Sequence, residues 1–188
     1  MTVDWLDVLE QQATALEQVA TSAPLDAPVP DCPGWDVAEL LRHVGAVHRM
    51  VVGWTTTGRR RAAPAVPTGV DVVQWYGQGR RDLVAHLGAL DPRTVVPTWD
   101  PVDDTAAFWR RRMAHEVAIH SLDAHRAAGV EDRWDVPAAV ATGNTTTATK
   151  GTDSSRSRRT PARVARSAAS GVASTRSATV EPSSTSAG

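Results

Sequence analysis

Between Asp4 and Ala127 the chain repeats apolar side chains at intervals of three and four residues, in four separate segments. That interval winds a single apolar stripe onto a helix, and stripes of this kind are buried by packing helix against helix. The pattern predicts an all-α fold, an antiparallel four-helix bundle. From Asp4 to about Ser22 the stripe is Trp5, Leu9, Leu16 and Val19, with Ala13 and Ala20 as small fillers. Pro24 to Trp35 carries four prolines, each removing a backbone donor and restraining its predecessor, which predicts an ordered loop. Asp36 then stands as N-cap with Glu39 three residues on, a capping-box pattern ahead of Leu40, Leu41, Val44, Val47, Val51 and Trp54.

Residues 58 to 69 are rich in Gly, Arg, Ala and Pro and read as a solvated loop containing Arg59, Arg60 and Arg61. Val72, Trp75, Tyr76, Leu83, Leu87 and Leu90 mark a third helix, in which Gly77 and Gly79 weaken the helix and favour a kink. After Asp91-Pro92 and a Pro97 to Pro101 connection, Ala106, Trp109, Met113, Val117, His120, Ala124 and Ala127 mark the fourth, with Gly129 as its stop. Seven Trp stand against one Tyr and one Phe, a balance that fits packing and points to no chemistry.

The character of the chain changes near residue 144. Of the 44 residues from Thr145 to Gly188, 19 are Ser or Thr, and none is Leu, Ile, Phe, Trp or Tyr. Such a stretch buries too little apolar area to offset its ordering entropy, so residues 144–188 are expected to be a disordered tail, leaving 1–143 as the folded domain. The tail carries seven basic and two acidic side chains, a net of +5, leaving −6 for the first 144 residues out of −1 overall. A functional basic tail and a frameshift or truncation of a C-terminal domain both explain the switch. The near-neutral total gives no reason to expect a nucleic-acid partner. The single cysteine, Cys32, allows no intrachain disulfide. An acidic N-terminus unlike a signal peptide, and no apolar run of about 18 residues, argue against export and membrane insertion. The expectation is a cytoplasmic protein.

The stretch His115-Glu116-Val117-Ala118-Ile119-His120 resembles a zincin helix only superficially. His115 and His120 are five residues apart, roughly 140° around the helix axis, and cannot easily share a metal. Glu116 and His120 are four apart and project from one face, the apolar one. A carboxylate aimed at a core needs a partner. His43, on the Leu40, Val44, Val47 and Val51 side of the second helix, is the partner that spacing suggests, whereas His48 falls nearer the polar side. Two imidazoles and a carboxylate suit zinc or another divalent first-row metal with coordination positions left open. A hydrogen-bonded core Glu–His pair is the alternative on spacing alone.

Two runs carry a family resemblance. Asp31-Cys32-Pro33-Gly34-Trp35-Asp36-Val37-Ala38-Glu39-Leu40-Leu41-Arg42-His43-Val44 is similar to the Pro-Gly-Trp segment of the mycothiol-dependent maleylpyruvate isomerase family. Arg112-Met113-Ala114-His115-Glu116-Val117-Ala118-Ile119-His120-Ser121-Leu122-Asp123-Ala124 is similar to that family's second signature. The resemblance covers about residues 1 to 140 and implies a DinB-like bundle. It places the metal ligands on His43, eight residues after the Trp, and on Glu116 and His120. It further implies an enzyme, a mycothiol-dependent isomerase or S-transferase, in which zinc activates the thiol cosubstrate toward an electrophilic small molecule. Where many members carry a further C-terminal domain, this chain carries its Ser/Thr/Arg tail, which puts the isomerase reaction itself in question. The resemblance assigns no thiol-binding residue. A non-catalytic metal- or ligand-binding regulatory bundle is the alternative function.

Trp35, just before a helix, reads as a packing residue. Asp123, seven residues after Glu116, is either an outer-shell partner of a ligand His or a surface or capping Asp. Cys32 reads as structural, and His86 and His125 as surface histidines.

Overall fold

A computed structural model of the chain describes residues 3–131 and 134–135. The tail expected from residue 144 lies outside the described residues. Among the described residues four helices follow one another: α1, Trp5–Ser22; α2, Val37–Thr57; α3, Val72–Ala89; and α4, Ala106–Ala127. They form a four-helix bundle in which α1 packs against α4 and α3, and α2 against α3 and α4.

The helix boundaries follow local chemistry. Asp4, Asp36 and Asp71 are N-caps whose carboxylates accept from free amides of the first turn. Only half of the expected capping box forms. Asp36 accepts from the Glu39 amide at 2.7 Å, while the Glu39 side chain pairs with Arg42 at 2.8 Å instead of reaching back. At the far end of α4, Gly129 (φ 67°) adopts the left-handed conformation. Its amide bonds to the Arg126 carbonyl and that of Val130 to His125, the paired bonds of a Schellman stop.

No break interrupts α3 at Gly77 or Gly79. A Cβ on Gly77 would lie 2.2 Å from Glu17 Oε1, and one on Gly79 2.3 Å from Arg49 Nη1, so both glycines admit neighbouring side chains. Arg110 of α4 donates to the Leu87 and Leu90 carbonyls and so satisfies the end of α3.

The core comprises Leu9, Leu16, Leu40, Leu41, Val44, Val51, Tyr76, Leu83, Leu87, Trp109, Met113 and Val117, all buried. Tyr76 donates its hydroxyl proton to the Ala13 carbonyl at 3.0 Å, joining α3 to α1. Two long connections are tied down by backbone bonds. Val29 bonds to Trp35, and Val37 to Ala27, which folds the proline-rich loop back over the start of α2. Val96 bonds to Asp104 and Ala106 to Thr94, which closes the connection before α4. Among the described residues no helix is long and apolar enough to cross a membrane.

Candidate metal centre

The i, i+4 spacing of Glu116 and His120 projects both from α4 toward α2, where His43 meets them. Glu116 Oε1 lies 3.6 Å from His43 Nε2 and 3.5 Å from His120 Nε2. All three donor atoms fall within 4.8 Å of one another. Their side chains are 23%, 9% and 13% exposed for His43, Glu116 and His120, so the group is roofed but reached from the His43 side.

The other atom of each α4 residue is already engaged. Glu116 Oε2 pairs with Arg112 Nη1 at 2.6 Å, and His120 Nδ1 faces Asp123 Oδ2 at 3.3 Å. Asp123 is buried beside His120, so of its two sequence readings the structure selects the partner of His120. Burial by itself would raise the Glu116 pKa, but hydrogen bonds from His120 and His43 and the charge of Arg112 outweigh it and hold the carboxylate ionised. Burial likewise works against the charge on His120. The hydrogen bonds to Asp123 and Glu116 prevail and raise its pKa to about 9. One carboxylate and two imidazoles, with outer partners that leave Oε1 and the two Nε2 atoms facing a common point, fit a divalent cation. Such a cation would take the place of the proton that His120 otherwise holds.

Trp35 packs as the sequence suggests, yet against the imidazoles: its ring lies 5.0 Å from that of His43 and 6.5 Å from that of His120. Cys32, in the same loop, places Sγ 3.8 Å from Asp123 Oδ2, and it forms with His120 and Asp123 a second close group of donor atoms. The structural role read for Cys32 in the sequence does not anticipate this position. Asp31 pairs with Arg126 and anchors the loop to the end of α4. Arg112 carried no role in the sequence reading, although its place four residues before Glu116 on the same helix face was a usable signal.

Two histidine placements are corrected, those of His48 and His125. His48, expected near the polar side of α2, is fully buried, with its ring 5.5 Å from that of Tyr76 and neither ring nitrogen hydrogen-bonded. The reason is that α2 is covered on two sides. Leu41, Gly45 and His48 form a second buried row against α3, where a Cβ on Gly45 would lie 2.4 Å from the Trp75 ring. His125 is buried rather than on the surface and donates from Nδ1 to the Ser121 carbonyl at 2.7 Å. His86 has a partner in Thr55 of α2, at 2.7 Å from Nε2. His115 packs on Trp5 of α1, with ring centroids 4.9 Å apart.

Comparison with known proteins finds one family. The family model described as the mycothiol maleylpyruvate isomerase N-terminal domain matches residues 6–125, a span that contains every side chain of the centre. No curated protein and no solved structure matches the chain.

Proposed function

From the premise that this chain belongs to the mycothiol maleylpyruvate isomerase N-terminal domain family, we propose that it is a metal-dependent, thiol-using enzyme. His43, Glu116 and His120 would hold one divalent ion, zinc by preference, with mycothiol as the thiol cosubstrate and an electrophilic small molecule as acceptor. The observation that carries this reading is the convergence of two imidazole nitrogens on one carboxylate oxygen, at 3.5 and 3.6 Å, with the remaining atoms of Glu116 and His120 held by Arg112 and Asp123.

When bound, a zinc ion at this point lowers the pKa of a coordinated thiol and so supplies the nucleophilic thiolate at neutral pH. The chain's own residues do the rest. Glu116 offsets part of the cation's charge, Asp123 orients His120 so that Nε2 faces the ion, and Trp35 covers the two imidazoles from outside. His43, the most exposed of the three, marks the side by which thiol and acceptor enter.

The test is to measure zinc content and the conjugation of mycothiol to a model electrophile for the full chain, beside His43→Ala. About one zinc per chain, with turnover that disappears in the variant, supports the proposal. Zinc uptake without thiol chemistry would favour a binding or regulatory bundle.

A further inference from the structure

Building on the metal reading above, we infer that Arg112 is a positioning residue: it keeps Glu116 a one-oxygen ligand and thereby holds a coordination position open for the thiol. A carboxylate near a divalent cation has two oxygens to offer, and engaging both occupies a position that a catalytic site needs free. Here the two oxygens have separate tasks. Oε1 faces both imidazoles, and Oε2 is taken by the Arg112 guanidinium at 2.6 Å.

Arg112 is itself held in place. Its guanidinium carbon lies 5.3 Å from the Trp99 ring centroid, and Trp99 packs edge-on against Trp109 at 4.9 Å and Trp54 at 6.3 Å. Trp109 donates from Nε1 to the Pro97 carbonyl at 2.9 Å, which fastens the connection before α4 under this stack. A support therefore runs from that connection through Trp99 and Arg112 to Glu116.

An exposed i, i+4 ion pair does little for its helix, but Glu116 is buried, and a cation beside a metal-binding carboxylate opposes metal binding. Raising metal affinity is thus a poor explanation for Arg112. Its removal makes the site more anionic and frees Oε2, and both changes favour two-oxygen binding. The metal is then retained and the open position is lost.

The test uses the full chain loaded with cobalt(II), whose visible absorption reports coordination number, titrated with N-acetylcysteine as the thiol probe. Wild type is expected to give the strong bands of low coordination and a thiol-induced charge-transfer band. Arg112→Met should keep the cobalt, show weaker bands of higher coordination, and bind the probe about 10- to 100-fold less tightly. Arg112→Lys, which can still occupy Oε2, should lie nearer to wild type. If Arg112→Met fails to fold, Trp99→Leu carries the test in the same direction. Variant spectra and probe affinity equal to those of wild type overturn the role of Arg112 alone. A wild-type chain that takes up no cobalt overturns the metal reading and this role with it.

Discussion

His120 Nδ1 lies 3.3 Å from Asp123 Oδ2, less than one helical turn along α4, while Nε2 of the same ring faces Glu116 at 3.5 Å. The carboxylate thus fixes which imidazole nitrogen is offered to a ligand and how the ring is turned. Asp123→Ala should weaken zinc binding about 10- to 100-fold while leaving helix content unchanged. Competition against a chromophoric chelator measures it, and unaltered affinity would remove Asp123 from the centre.

Chelation separates a metal used for chemistry from one used for folding. A fully buried leucine contributes roughly 1.5–3 kcal/mol, and Leu9, Leu16, Leu40, Leu41, Leu83 and Leu87 share that burial among α1, α2 and α3, so the bundle does not depend on three ligand side chains. EDTA treatment is therefore expected to abolish mycothiol conjugation and leave the circular dichroism of the helices intact. Glu116→Gln should behave alike, because a neutral amide is a much poorer ligand for a divalent cation. Melting of the helices on chelation would make the metal structural.

His48 makes acid stability measurable. Burial, and secondarily the nearby charge of Arg49, depress its pKa from 6.5 to about 3. Between these values the unfolded chain takes up a proton that the folded one excludes, so stability is full above pH 6.5 and falls as the pH drops toward 3. The slope reaches roughly 1.4 kcal/mol per pH unit. In urea titrations from pH 6.5 to about 5.5, above the ordinary range of the carboxylates, His48→Leu should flatten this slope. It should leave zinc stoichiometry unchanged, in contrast to His43→Ala. Parallel pH curves for wild type and His48→Leu would show that the buried ring is protonated as easily as a free one.

Tyr76→Phe removes the proton donated to the Ala13 carbonyl while keeping the ring that packs in the core. The expected cost is about 1 kcal/mol, read as a lower denaturation midpoint with an unchanged denaturant slope. No change in midpoint would mean that the Ala13 carbonyl is satisfied without Tyr76.

The four helices were legible in the sequence because their signals are local. Aspartates at positions 4, 36 and 71 can reach amides two or three residues on, Gly129 can turn left-handed, and apolar spacing declares a helix whatever it packs against. The shared face of Glu116 and His120 was legible for the same reason, since i, i+4 geometry belongs to a single helix. Apolar spacing does not state how many neighbours cover a helix. His48 reads from spacing alone as nearer the polar side of α2, and it is buried only because α3 lies on that side. Likewise the proline-rich loop announced itself as a loop, but only its backbone bonds to the start of α2 bring Cys32 beside Asp123 and Trp35 over His43. The elements and the donor types on each are therefore local properties of the chain. Tertiary structure decided which donors meet and which side chains hold them, because contacts between distant segments depend on packing angles and loop closures that no local pattern encodes.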